Sequence, residues 1–322
     1  MTASMTASTT TGASGIQSAL EPAGAHAEQI GRLWHLFLLV STVVYVLVLI
    51  VLLIALFRRR KAESSGTRGA TAAVSVATGM TVITLFALLV STILTSRSLA
   101  GIQGNAVEVT VTGRQWWWQV DYEHPDPSKR MTTANELVVP VGLPVHIRLL
   151  STDVIHSFWV PNLHGKQDLI PGHENAIILL ADRPGLYRGQ CAEFCGPQHA
   201  NMALWVHALA PADYAKWMEA QRQPAKSPST PQQRTGQQVF MRSPCPLCHN
   251  IQGTDASGKT APDLTHMAGR RSLAAGTLPN RPDALASWIV DPQHIKPGAF
   301  MPPTVLQQGE LAPLLAYLES LQ

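Results

Sequence analysis

Two long apolar runs, at 33–57 and 74–94, dominate the first third of the chain, and neither contains a formal charge. Each exceeds the roughly 20 residues that a helix needs to cross a bilayer core, so the pattern predicts a two-helix transmembrane hairpin across 30–98. His35 and a few hydroxyls are the polar positions of the first run. His35 is expected to pack against a neighbouring subunit or to lie near the interface. The run RRRK at 58–61, together with Arg68, makes the intervening loop strongly basic. That places the loop in the cytoplasm and both termini outside. The first run is longer than the apolar region of a signal peptide and reads as a retained helix. Before it, the polar segment 1–29, rich in Ser, Thr and Ala, has too little apolar content to fold alone.

Beyond 105 the period changes to two. Short alternating runs at 107–111, 137–140, 145–150 and 176–180, separated by Gly and Pro turns, predict strands of a β-sandwich or barrel spanning 105–221. A short helix at 211–221 closes it. Prolines and small polar residues then take over at 222–233, which reads as an extended linker able to let the last module swing. From 234 to 322 the pattern offers helices at 235–241, 281–290 and 310–321 and no strand alternation, a small all-α domain. A domain of that size has a thin core, so Phe240, Trp288 and Leu314 are expected to pack on a bound group.

Over the 322 residues, 46% are hydrophobic and 14% charged, consistent with a chain that is partly membrane, and the net charge is +3. The segment 105–221 is acidic, with twelve Asp and Glu against eight Lys and Arg, a net charge of −4. That surface could attract a basic partner, but the imbalance is modest and an ordinary solvated surface is the favoured reading of any single residue. No nucleic-acid binding is inferred.

Four cysteines carry the chemistry. The run 191–202, CAEFCGPQHANM, combines Cys191, Cys195, His199 and Met202, and His156 lies upstream. Thiolates, imidazoles and a thioether select copper, and two cysteines four apart on a tight loop suit bridging thiolates between two metal ions, with one histidine for each. Glu193, between them, is placed to offer its main-chain oxygen to copper and its carboxylate to a hard ion such as magnesium; a solvated carboxylate is the rival reading. The second pair, Cys245 and Cys248 followed by His249, has the spacing that attaches a c-type haem and supplies an axial imidazole. Met301, in GAFMPP at 298–303, is favoured over Met267 as sixth ligand because prolines stiffen its loop. Pro262 is placed to hold His249 through its carbonyl, with an ordinary turn as the alternative. Disulfides, a redox dithiol or half a zinc site would use the same cysteines. His249, directly after Cys248, argues against the dithiol. Three consecutive tryptophans, Trp116, Trp117 and Trp118, cannot all face a core from one strand, and at least one is expected to form an exposed aromatic surface beside the copper.

Together, the two helices, GRQWWW at 113–118, DVIHSF at 153–158, DRPGLYRGQCAEFC at 182–195 and HANM at 199–202 closely resemble cytochrome c oxidase subunit II. The module from Cys245 to Met301 resembles a class I cytochrome c, a fusion that marks caa3-type oxidases. The resemblance implies a cupredoxin-like β-barrel with a dinuclear copper A centre held by His156, Cys191, the Glu193 main-chain oxygen, Cys195, His199 and Met202. It implies electron input at Trp116, and a magnesium ion at the Glu193 carboxylate, shared with subunit I. The expected partners are subunits I and III and cytochrome c or another haem donor. Electrons would pass through haem c and copper A to subunit I, where oxygen is reduced, at a bacterial inner membrane with the soluble modules on the periplasmic face. One stretch departs from the family pattern: 71–84 lacks the glutamate and tryptophan that accompany a proton path, and Glu63 in the loop has no spacing to replace them. The copper loop equally suits the electron-input subunit of a copper A-containing nitric oxide reductase. A free-standing carrier or copper-delivery protein needs at most one anchor, and a quinol oxidase subunit has no use for Cys191, Cys195 and Met202.

Overall fold

The computed structural model describes residues 16–57, 67–99 and 107–322. The basic run 58–61, Glu63 and positions 105–106 lie outside the described residues, as does most of the polar N-terminal segment. Helices α1 (Ala25–Phe57) and α2 (Thr67–Leu99) each have 33 residues, with mean hydropathy reaching 3.2 and 2.2. Both begin earlier than hydropathy suggests because their first turns are polar yet helix-competent. In α1, Glu28 and Arg32 pair at i,i+4, 2.6 Å apart. At about 1.5 Å per residue each helix reaches ~50 Å, more than the ~30 Å of a hydrocarbon core. Their hydroxyls are satisfied internally: Thr81 donates to Ala77 O and Ser91 to Ala87 O, both at 2.9 Å. That is the bonding an apolar solvent requires. His35 Nδ1 likewise donates to Gly31 O, at 2.7 Å.

The second unit begins with ten strands: β1 (Val107–Arg114), β2 (Trp117–Tyr122), β3 (Met131–Ala134), β4 (Glu136–Pro140), β5 (Val145–Ser151), β6 (His156–Trp159), β7 (Gln167–Leu169), β8 (Asn175–Leu179), β9 (Gly185–Cys191) and β10 (Ala203–Leu209). They form two five-stranded sheets, ordered β3-β2-β1-β5-β8 and β4-β10-β9-β6-β7. This is a cupredoxin-like curled β-sheet domain. Alternation places Trp118, Val120 and Tyr122 of β2 inward, where they meet Leu137, Phe158 and Val206 from the facing sheet. Each such side chain contributes about 2–3 kcal/mol by leaving water. The Tyr122 hydroxyl donates to Val138 O at 2.9 Å and accepts from Val138 N–H at 2.7 Å, joining the sheets across the core. Residues 16–24 are part of this body and do not fold alone: Ala23 N–H donates to Asn162 O at 2.7 Å, and Arg188 N–H to Ile16 O at 2.8 Å. Helix α3 (Pro211–Gln221) follows, with Trp217 packed 5.4 Å from the Tyr122 ring.

The remaining residues form helices α4 (Pro231–Arg242), α5 (Cys245–Cys248), α6 (Pro282–Val290), α7 (Pro292–Ile295) and α8 (Leu311–Leu318). A short two-stranded ladder, β11 (Ser272–Leu273) with β12 (Leu278–Pro279), accompanies the helices. Helix α4 starts inside the expected linker 222–233, because Thr230 and Gln233 form a reciprocal capping box with Pro231 in the first turn. Helices α4 and α8 cross at Gly236, where an added Cβ would lie 1.9 Å from Pro313 O. Only glycine permits that approach.

The structure seats this module on the β-sheet body. Ala203 N–H donates to Ala275 O at 2.9 Å, Trp205 Nε1–H to Ser272 Oγ at 3.1 Å, and Gln198 Nε2 to Pro297 O at 2.9 Å. The Arg271 guanidinium lies 5.0 Å over the Trp205 ring.

Gly236→Ala should cost about 1–3 kcal/mol through overpacking at the crossing. Thermal unfolding of the full chain, followed by absorbance of the last module, is expected to show a lower midpoint.

Candidate functional site

The loop 192–202 joins β9 to β10, which pair with Gln190 opposite Ala203. Its ends are tied: Cys191 N–H donates to Met202 O at 2.8 Å, so the first and last sulfur residues of the loop share one backbone bond. Within it, Cys191 Sγ and Cys195 Sγ are 3.7 Å apart, too far for the ~2.05 Å of a disulfide. All four cysteines are free. His156 Nδ1 lies 3.8 Å from Cys191 Sγ, His199 Nδ1 3.7 Å from Cys195 Sγ, and Met202 Sδ 3.8 Å from Cys195 Sγ. Glu193 O is 3.2 Å from Cys191 Sγ. Thus the structure brings together all six residues expected at the copper centre. His156, Cys191, Cys195 and Met202 are buried. Two thiols, two imidazoles, a thioether and a carbonyl converging in a water-poor pocket form the donor set of a soft transition metal, so the residues fit copper.

Electrostatics agree with metal binding. A hydrogen bond from the Cys195 thiol pulls Cys191 far down despite its burial, and the resulting thiolate raises Cys195. The pair titrates as a unit. Burial lowers the His156 pKa, but its bonds to Cys191 and Asp153 outweigh that and leave it raised. Asp153 Oδ1 accepts from His156 Nε2 at 2.8 Å. This orients the ring with Nδ1 toward sulfur. Gly113 makes room for that ring, since a Cβ there would meet His156 Cδ2 at 2.7 Å.

The tryptophan triplet corrects an expectation. Trp118 is a core residue and Trp117 is half-buried under the Arg114 guanidinium, 5.6 Å from its centroid. Trp116 sits in the turn between β1 and β2 and is only 7% exposed, not part of an open aromatic face. Its Nε1–H donates to Cys195 O at 2.9 Å, and the Gln115 amide donates to the same oxygen at 2.8 Å.

Trp116 also lines a cavity of about 630 Å³ with Cys245, Cys248, His249 and Met301 on its wall. Phe240, Trp288 and Leu314 line it as expected, and Met267 reaches it too. Both cysteines lie on the single turn α5. His249 Nδ1–H donates to Pro262 O at 2.7 Å, and burial lowers its pKa, so the ring is neutral with Nε2 as its acceptor nitrogen. The Gln293 amide donates to Ala299 O at 2.7 Å and Met301 O at 2.9 Å, which braces the loop carrying Met301. Arg270, also on the cavity wall, has a buried Nε with no hydrogen-bond partner, and burial lowers its pKa. A cofactor with carboxylates would satisfy that donor. Thiols for attachment, a held imidazole, apolar walls and an unpaired guanidinium nitrogen therefore fit haem c. Arg270 and Gln293 gave no signal by spacing, because they act through the opposing walls of the cavity and through the main chain, whereas Asp153 stands three residues from His156 within the run DVIHSF.

Comparison with known proteins agrees with this arrangement. The family model described as cytochrome c oxidase subunit II, periplasmic domain, matches residues 124–209, and the cytochrome c model matches 233–322. The chain is 40% identical over 219 residues to cytochrome c oxidase subunit 2 of Alkalihalophilus pseudofirmus, covering 68% of this chain and 62% of that protein. It is 34% identical over 266 residues to the subunit 2 of Bacillus sp. (strain PS3), covering 76% of this chain and 73% of that protein. The solved periplasmic domain of subunit II of cytochrome oxidase from Bradyrhizobium japonicum is 29% identical, with TM-score 0.35 over 38% of this chain and 96% of that one. By its family models and its relationship to the subunit 2 of Bacillus sp. (strain PS3), the chain belongs to the cytochrome c oxidase subunit II family, its subunit II domain being followed by a cytochrome c domain.

Proposed function

We propose that this chain is the electron-input subunit of a caa3-type cytochrome c oxidase, taking electrons from cytochrome c or a similar haem donor. The observation that carries the reading is the position of Trp116, which donates to Cys195 O on one side and lines the cavity of Cys245, Cys248 and His249 on the other. The two cofactors, when bound, supply one-electron chemistry, accepting and releasing electrons singly without a substrate bond. His156, Cys191, Cys195, His199, Met202 and the Glu193 carbonyl would hold a dinuclear copper A centre. Cys245 and Cys248 would hold haem c covalently, with His249 and Met301 as the side chains that would bind its iron.

The chain's own part is to hold these donors still. The Cys191–Met202 backbone bond and the Gln115 and Trp116 bonds to Cys195 O fix the loop, and the Asp153–His156 bond fixes the imidazole that faces it. Small movement between redox states favours rapid passage of an electron. Burial excludes water from the sulfurs and keeps them from oxidation. The helices α1 and α2 anchor the chain in a bacterial inner membrane, with both soluble modules on the periplasmic face, beside subunits I and III. Oxygen would be reduced in subunit I. The Glu193 carboxylate would take a magnesium ion at that boundary.

Two outcomes follow. Asp153→Ala should lower copper affinity about 10–100-fold by freeing the His156 ring; copper titration against a competing chelator measures it, with circular dichroism unchanged. Met202→Leu in the purified membrane complex should abolish most oxygen uptake from reduced cytochrome c while haem c still reduces. Consumption of nitric oxide in place of oxygen by the native complex would move the assignment to a nitric oxide reductase.

A further inference from the structure

Lys296 is the least expected residue of the seam between the two soluble modules. It belongs to the cytochrome c module, in the loop that carries Met301, yet it is only 2% exposed. Its Nζ donates to Trp116 O and Asn201 O, both at 2.7 Å, and to Ala274 O at 3.0 Å. An ammonium group has three N–H donors, and all three are used. Two of the acceptors belong to the copper module, and one of these is the carbonyl of Trp116 itself. A charge buried this deeply persists only where such bonds replace its hydration; burial draws the Lys296 pKa down to about 7, against the opposing pull of the Cys195 sulfur. Two residues on, Gly298 turns the chain at φ +85° beside the Trp116 ring, where an added Cβ would stand in ordinary contact at 3.5 Å. Gln293 closes the same loop by accepting from Gly298 N–H at 2.9 Å while its amide holds Met301 O. The end of α7 and the loop 296–301 thus touch the tryptophan beside the copper-loop cysteines and carry Met301.

Resting on the electron-input reading above, we propose that Lys296 is a positioning residue for electron transfer within the chain: its ammonium clips the haem-bearing loop to the Trp116 backbone and so sets the separation of the two cofactors. The step it serves moves one electron, lost at the haem site and gained at the copper site, with no bond made or broken and no proton transferred. Lys296 neither carries the electron nor ligates a metal. Its neighbours across the seam, Ala203 with Ala275 and Arg271 with Trp205, supply affinity on the far side but do not touch Trp116.

The test compares the native complex with Lys296→Met, which keeps the stem and removes the donors. Haem c and copper spectra first establish that both sites are loaded; an absent copper spectrum in the native chain would fail the electron-input reading, not this one. Haem c is then reduced in a rapid pulse by an external donor, and its reoxidation by copper is timed. The expected result is native reduction of haem c with internal transfer slowed about tenfold or more. Hydrogen exchange supplies a readout independent of turnover: the Ala203 amide, bonded to Ala275 O, should exchange faster in the variant. Native transfer rate with native protection would overturn the proposal. Should Lys296→Met fail to load haem, Lys296→Gln is read by the same two measurements, and native values there overturn it equally.

Discussion

A single backbone hydrogen bond, from Cys191 N–H to Met202 O, holds closed the loop on which the copper chemistry depends. It sits where β9 and β10 pair, so the register of two strands in a sheet determines how far apart the first and last sulfur donors stand. A one-residue slip would turn every side chain of β10 to the other face and carry Met202 away from Cys195. The buried core of Trp118, Phe158 and their neighbours makes such a slip costly. The rigidity expected of an electron-transfer centre is therefore a property of the whole sandwich, delivered to the site through strand ends.

Much of this was legible in the sequence, and for identifiable reasons. Cysteine spacing is local, so CAEFC and CPLCH marked both candidate sites directly. Apolar runs disclosed the two helices, although hydropathy missed their polar first turns and so set their starts too late. His156 could be associated with the copper loop, but its orientation depends on Asp153, and no periodicity reports a side-chain bond. The tryptophan triplet was misjudged because a strand was assumed to run through it. A turn separates Trp116 from Trp117, and the face beside copper is covered by the chain's own cytochrome c module. Lys296 and Arg270 were invisible for a different reason: a lysine or arginine in a polar loop looks solvated until the opposing module is in place.

The seam between the modules has the character of a fixed contact. It mixes a ladder-like backbone bond, a guanidinium over an indole and a fully bonded buried ammonium. Buried polar groups of this kind specify one arrangement more than they add stability, since a slightly wrong docking leaves them unpaired. The linker had suggested a module free to swing; the structure presents one seated arrangement, with residues 231–233 already helical.

The covering of Trp116 has a kinetic consequence. An open tryptophan beside copper would have to wait for a diffusing donor, and its supply of electrons would rise and fall with that donor's concentration and with salt. A donor site already seated against it needs no diffusional encounter, whatever the surroundings contain. Under the proposed function, mobile donors would be received by the cytochrome c module and not by the acidic β-sheet surface, and the last stage of delivery would be first-order.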